Sequence, residues 1–125
     1  MDLKKSEKNK ILVQRSKHRM KVWEENGVLY RLGRNAMENS RLLEDADPGD
    51  WWFHVDGYPS GHCIVESVEL DDSMVQFAAK VVKDHSSQKN KKRCRVVYCR
   101  VNNIQRTKIP GKVVLSNTTI PHVYV

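Results

Sequence analysis

Apolar and polar residues alternate from Met20 to Leu32 in the pattern of a β-hairpin. Met20 and Val22 stand before Asn26-Gly27, and Val28, Tyr30 and Leu32 stand after it. A period of two marks a half-buried strand, and Asn-Gly supplies the two positive φ angles of a type I′ turn. Gly33 ends the second strand, and the period then changes. In RNAMENSRLLEDAD, Ala36, Met37, Leu42 and Leu43 are predicted to line one broad helical face. Asn35 is the predicted N-cap, with Glu38 three residues on as in a capping box. Asp47-Pro48-Gly49-Asp50 reads as a turn.

WWFHVDG alternates again, and HCIVESV follows the Tyr58-Pro59-Ser60-Gly61 loop, which predicts two more strands. DDSMVQFAAKVVKDHS predicts a second amphipathic helix, with carboxylates at its start and Val75, Ala78, Ala79 and Val82 on its apolar face. CRVVYCRVNNIQR reads as one strand, KVVLS as another after Pro110-Gly111, and TIPHVYV as a last short one. The order is ββ-α-ββ-α-ββ(β). It predicts a single compact α+β domain with a mainly antiparallel sheet and two helices. Residues 1–16 fall outside this periodicity, with only Ile11, Leu12 and Val13 apolar, and read as a basic, flexible arm; residues 17–125 form the domain.

Charge changes the picture from a fold to a partner. Of 125 residues, 22 are Lys or Arg and 15 are Asp or Glu, a net +7. That balance favours a polyanion, such as RNA, DNA or an acidic membrane surface, over the simpler role of keeping the chain soluble. The bases are clustered: Lys4 to Lys21 at the start, and Lys89, Lys91, Lys92, Arg93 and Arg95 in QKNKKRCR. The acids lie mostly between Glu38 and Asp72. Cys63, Cys94 and Cys99 are odd in number and share no CxxC spacing, which argues for reduced thiols rather than a disulfide framework. The start has no apolar signal region and no run is long enough to span a membrane, so no membrane insertion is expected. The cytoplasm is the expected location, with the nucleus a second one.

Three groups of residues carry candidate chemistry. Arg34 and Asn35 lie where a strand turns into a helix, and backbone N–H groups there, beside an arginine, suit a phosphate. The turn lacks the second glycine and the Lys-Ser/Thr of a nucleotide-hydrolysing loop. On DWWFHVD, alternation puts Trp52, His54 and Asp56 on one face, where Trp52 offers a surface for a base; the competing reading makes Trp52 core and His54 a satisfied buried histidine. His54 and His62 sit on adjoining strands, where they can bond to one another and take up a proton near neutral pH. Structural zinc needs four well-spaced ligands, which these do not provide. Lys89, Lys91, Lys92 and Arg93 form the plainest electrostatic contact, and Arg106 with Lys108 extends it.

Taken together, GRNAMEN and DPGDWWFHVDGYPSGH resemble the NFACT-R domain, a small module of ribosome quality-control proteins that also occurs alone. Gly33, Asn35, Ala36, Asn39, Asp50, Trp52, His54, Pro59 and His62 fall into its pattern. Arg34 stands where the family usually has lysine, and Ser60-Gly61 reverses the usual Gly-Ser order. The resemblance implies a non-catalytic module for structured RNA, tRNA or rRNA, in a translation-linked and ribosome-associated role. It adds Asn39 to the candidate contacts. It does not extend to the tail elongation of the full-length proteins, whose other domains this sequence does not contain. No cofactor or metal is expected. The alternatives are a histidine- or metal-dependent nucleic-acid hydrolase, and an adaptor for DNA or an acidic protein.

Overall fold

The Asn26-Gly27 turn forms as expected. In the computed structural model, which describes residues 20–116 and 119–125, Asn26 and Gly27 have φ of 51° and 81°. They join β1 (Lys21–Glu25) to β2 (Val28–Leu32), with Glu25 opposite Val28. The proposed arm of residues 1–16 lies outside the described residues. The chain continues through α1 (Ala36–Asp45), β3 (Trp51–Val55), β4 (Cys63–Glu66), α2 (Asp72–Asp84) and β5 (Arg95–Arg100). After a short 3₁₀ turn come β6 (Ile104–Arg106), β7 (Val113–Leu115) and β8 (His122–Tyr124). The fold is α+β, as the periodicity predicts.

Six strands form one antiparallel sheet in the order β1-β2-β4-β3-β5-β8. Its central strands are apolar on both faces because both faces are covered. Tyr30, Leu32, Phe53, Val55, Cys63 and Val65 meet Val75, Ala78, Ala79 and Val82 of α2. Trp52, Ile64 and Cys99 meet Leu42 and Leu43 of α1, backed by Val113 and Leu115 of the β6–β7 ribbon. Burial of these side chains, worth about 1.5–3 kcal/mol each, is what fixes the three layers.

Two predicted details differ. Ala36 and Met37 are exposed, Met37 by 66%, and α1 instead buries Glu38, Asn39, Leu42 and Leu43. The helix begins one turn before the sheet covers it, so its first apolar pair meets water. The predicted strand from Cys94 to Arg106 breaks at Val101–Asn103. There the backbone is captured by the loop after α1: Val101 N–H donates to the Asp50 carbonyl and Asn102 N–H to that of Pro48. Past that point β6 leaves the main sheet and pairs only with β7.

Candidate nucleic-acid interface

A cleft of about 760 Å³ opens where four segments meet. They are the start of α1, the loop between β3 and β4, the end of α2 with the residues after it, and the turn between β6 and β7. Among the described residues Arg34, Lys89 and Lys112 line it, with His54, His62, His85 and one carboxylate, Asp84.

The start of α1 is fixed by its own side chains. The Asn35 side chain accepts the Glu38 N–H at 2.9 Å, the predicted cap. Glu38 is buried and holds Arg34 at both ends: its carboxylate accepts from the Arg34 backbone N–H at 2.9 Å and from the guanidinium at 2.8 Å. The pairing raises the arginine further above its ordinary pKa. Arg34 is thereby held beside the helix terminus, where N–H groups and the helix dipole favour an anion.

The β3–β4 loop is locked to this turn through the backbone. Gly33 N–H donates to the His62 carbonyl at 3.0 Å. His62 N–H donates to Asn39 Oδ1, also at 3.0 Å. The two segments touch so closely that a Cβ on Gly61 would lie 2.1 Å from the Gly33 carbonyl oxygen. A Cβ on Gly33 would lie 2.3 Å from Asn39 Oδ1. Ser60 holds the loop from the other side, its Oγ accepting the Val55 N–H at 3.2 Å. On the far wall, Gly111 packs against Ala36, which brings Lys112 to the cleft.

Trp52 needs correction. Only 3% exposed, it lies among Leu42, Leu43 and Ile64, because α1 covers that face of the sheet, and it offers no surface to a base. His54 stacks on it with ring centroids 5.7 Å apart and planes within 4°. The half-buried His54 is therefore the flat ring that fronts the cleft. His62 stands edge-on to both rings, 5.4 Å from Trp52 and 5.2 Å from His54, so the two histidines share an edge-to-face contact rather than the hydrogen bond the sequence suggested.

The expected protonation of this pair near neutral pH is also overturned. Burial pushes His62 down to about 3, with His54 nearby adding to the shift. Burial lowers His54 as well, against weaker support for its charged form from the Val55 backbone and Asp56. Both are neutral at physiological pH. Asp50 moves the other way: burial raises it to about 6, although its Oδ2 accepts the Asp47 N–H at 3.1 Å.

The remaining predicted residues divide. Asn39 and His62 are buried and hold the corner together. Arg34, Asn35, His54 and Lys89 line the cleft. Lys91, Lys92 and Arg93 are exposed on the loop beyond it, where Arg93 lies over the Tyr124 ring at 4.0 Å. Arg106 donates to Ser40 Oγ at 3.0 Å and pairs with Glu44 at 3.6 Å, so it ties the ribbon to α1; Lys108 is exposed and does not line the cleft. Sequence reasoning missed His85 and Lys112, which distant segments deliver; the Pro110-Gly111 turn beside Lys112 was the one local sign. Among the described residues no group of three or more His, Cys, Asp or Glu is placed to hold a metal ion, and no helix is long and apolar enough to cross a membrane.

Residues 6–117 match the family described as NFACT protein RNA binding domain. The fold is similar to that of the C-terminal part of the fibronectin/fibrinogen-binding protein from Streptococcus suis, at 19% identity and a TM-score of 0.75. That likeness covers 95% of this chain and 54% of the other, so the chain spans about half the length of its structural relative. No curated protein matches the sequence.

Proposed function

The chain belongs to the NFACT protein RNA-binding domain family, and from that premise we propose that the cleft is where it grips the RNA backbone. One observation carries this reading. Arg34, Lys89 and Lys112, far apart in sequence, converge on one concavity at the start of α1. Lysines act there as point charges and Arg34 as an oriented one, so phosphates are held without regard to sequence. Neutral His54 adds an aromatic surface that an unstacked base can cover. The lysines and arginine of the 89–93 loop extend the positive field outward.

The RNA is structured, tRNA or rRNA, and the setting is the ribosome and translation quality control in the cytoplasm; the NFACT membership supports this. The cleft binds rather than cuts. His62, at about 3, is too weak a base to take a proton from water at neutral pH.

Labelled tRNA, single-stranded RNA and duplex DNA, titrated with the protein at rising salt, test the proposal. Affinity for RNA falls steeply with salt, and Lys89→Glu with Lys112→Glu reduces the logarithmic salt slope by about 2. Binding that ignores salt, or a preference for duplex DNA, overturns it. RNA cleavage that disappears in His54→Ala would replace it with the hydrolase reading.

A further inference from the structure

The opposite end of α2 carries a second concavity of contrary character. It holds about 530 Å³ between the β1–β2 turn and the start of the helix. Its apolar lining includes Val28, Leu70, Met74 and Phe77, and its rim carries the carboxylates of Glu25, Glu69 and Asp71. Among the described residues no lysine or arginine lines it, although the chain as a whole is +7.

A cluster of acids alone is only a solvated rim, but here it edges an apolar floor of Val28, Leu70, Met74 and Phe77. Tyr30 is 2% exposed, its ring packs on Phe77 with centroids 4.5 Å apart, and it lines the groove. Burial, and then the charges of Asp71, Cys63 and Glu25, hold this phenol above its ordinary pKa, so it stays a donor and acceptor at neutral pH.

We infer that this groove docks a basic segment of a partner protein, an apolar side chain entering between Met74 and Phe77 while flanking lysines or arginines meet the carboxylates. Charge complementarity selects that occupant. Three carboxylates repel a phosphate backbone, which excludes nucleic acid, and the apolar floor adds a demand that a bare cation does not meet. Arginine fits on two counts, because its guanidinium pairs with carboxylates and its stem lies on aromatic rings. The groove is therefore independent of the RNA cleft: a failure of either proposal leaves the other standing.

The test uses the full chain, labelled at the methionine methyls, and the synthetic peptide Lys-Arg-Leu-Phe-Arg-Lys as probe. The Met74 methyl resonance is expected to shift saturably, with Met37 unmoved. The double variant Glu25→Lys with Glu69→Lys is expected to weaken binding at least tenfold, as is a peptide with Ser-Ser in place of Leu-Phe. Both carboxylates are exposed, so the variant keeps its fold. A Met74 signal that does not move overturns the inference. So does equal affinity for the variant, or equal binding of the Ser-Ser peptide.

Discussion

The cleft and the groove lie at opposite ends of one helix and are built by opposite means. The cleft is a backbone construction. Gly33, Gly61 and Asn39 bring two loops to within contact, and the charges of Arg34, Lys89 and Lys112 are hung on that frame. The groove is a side-chain construction: Tyr30, Met74 and Phe77 make its floor, and exposed carboxylates sit at its edge. The cleft should thus fail in shape before it fails in charge, and the groove the reverse.

The strongest attack on that contrast is Gly61→Ala. Its Cβ has nowhere to go between the Gly33 carbonyl and Leu32, whose Cδ1 would be 2.8 Å away. Overpacking of this kind costs about 3 kcal/mol, and denaturant unfolding should show it. RNA affinity should fall with it, although no charge has changed. Asn39→Ala comes next. It leaves the His62 N–H buried without an acceptor, for a loss of about 2 kcal/mol by the same measurement.

Acid probes the cleft in a way that the groove does not share. Between about pH 3 and its ordinary 6.5, the unfolded chain binds a proton at His62 that the folded chain refuses, so stability falls as pH drops through that window. His54, lowered by burial, acts in the same direction. Asp50 opposes them: its folded value of about 6 lies above its ordinary 3.8, so the folded chain gains as pH falls between those limits. Over that range His62 and Asp50 nearly cancel, at about 2 kcal/mol each, and His54 tips the balance towards loss. A small net loss is expected between about pH 6.5 and 4.5, its size set by His54, measured by unfolding at each pH. A clear gain in stability over that range would place the His62 ring in contact with solvent.

Asn35→Ala is milder, about 1 kcal/mol for a lost cap, and it should weaken RNA binding by loosening the start of α1. Smallest of all is the groove's own double reversal, Glu25→Lys with Glu69→Lys. Stability should change by no more than about 0.5 kcal/mol per site, since both side chains are exposed. A large loss there would erase the contrast.

What the sequence made legible was whatever short range decides. The Asn26-Gly27 turn, the Asn35 cap and the Val75–Val82 face all follow from a few neighbouring residues. Features set by a second layer were hidden. Alternation separates Trp52 from Phe53 without saying that α1 will cover Trp52, and nothing in VVYCRVNN announces that Asp50 and Pro48 will end the strand. The site was half readable for the same reason. Arg34, Asn35 and His54 sit on the local motif, whereas Lys112 reaches the cleft only because Gly111 lies against Ala36.

The order Ser60-Gly61 has a consequence for how such a chain can change over time. Serine at 60 supplies a hydroxyl and glycine at 61 a missing Cβ, so the two positions are unequal: glycine at 60 loses one hydrogen bond, whereas serine at 61 meets the Gly33 carbonyl. A lineage moving between this order and the reverse must pass through Gly-Gly, which forfeits a hydrogen bond, or Ser-Ser, which forces the Gly33 contact apart. The first detour is passable and the second is closed. The reverse order itself puts a Cβ at 61, so it requires a loop backbone that stands further from Gly33 than this one does.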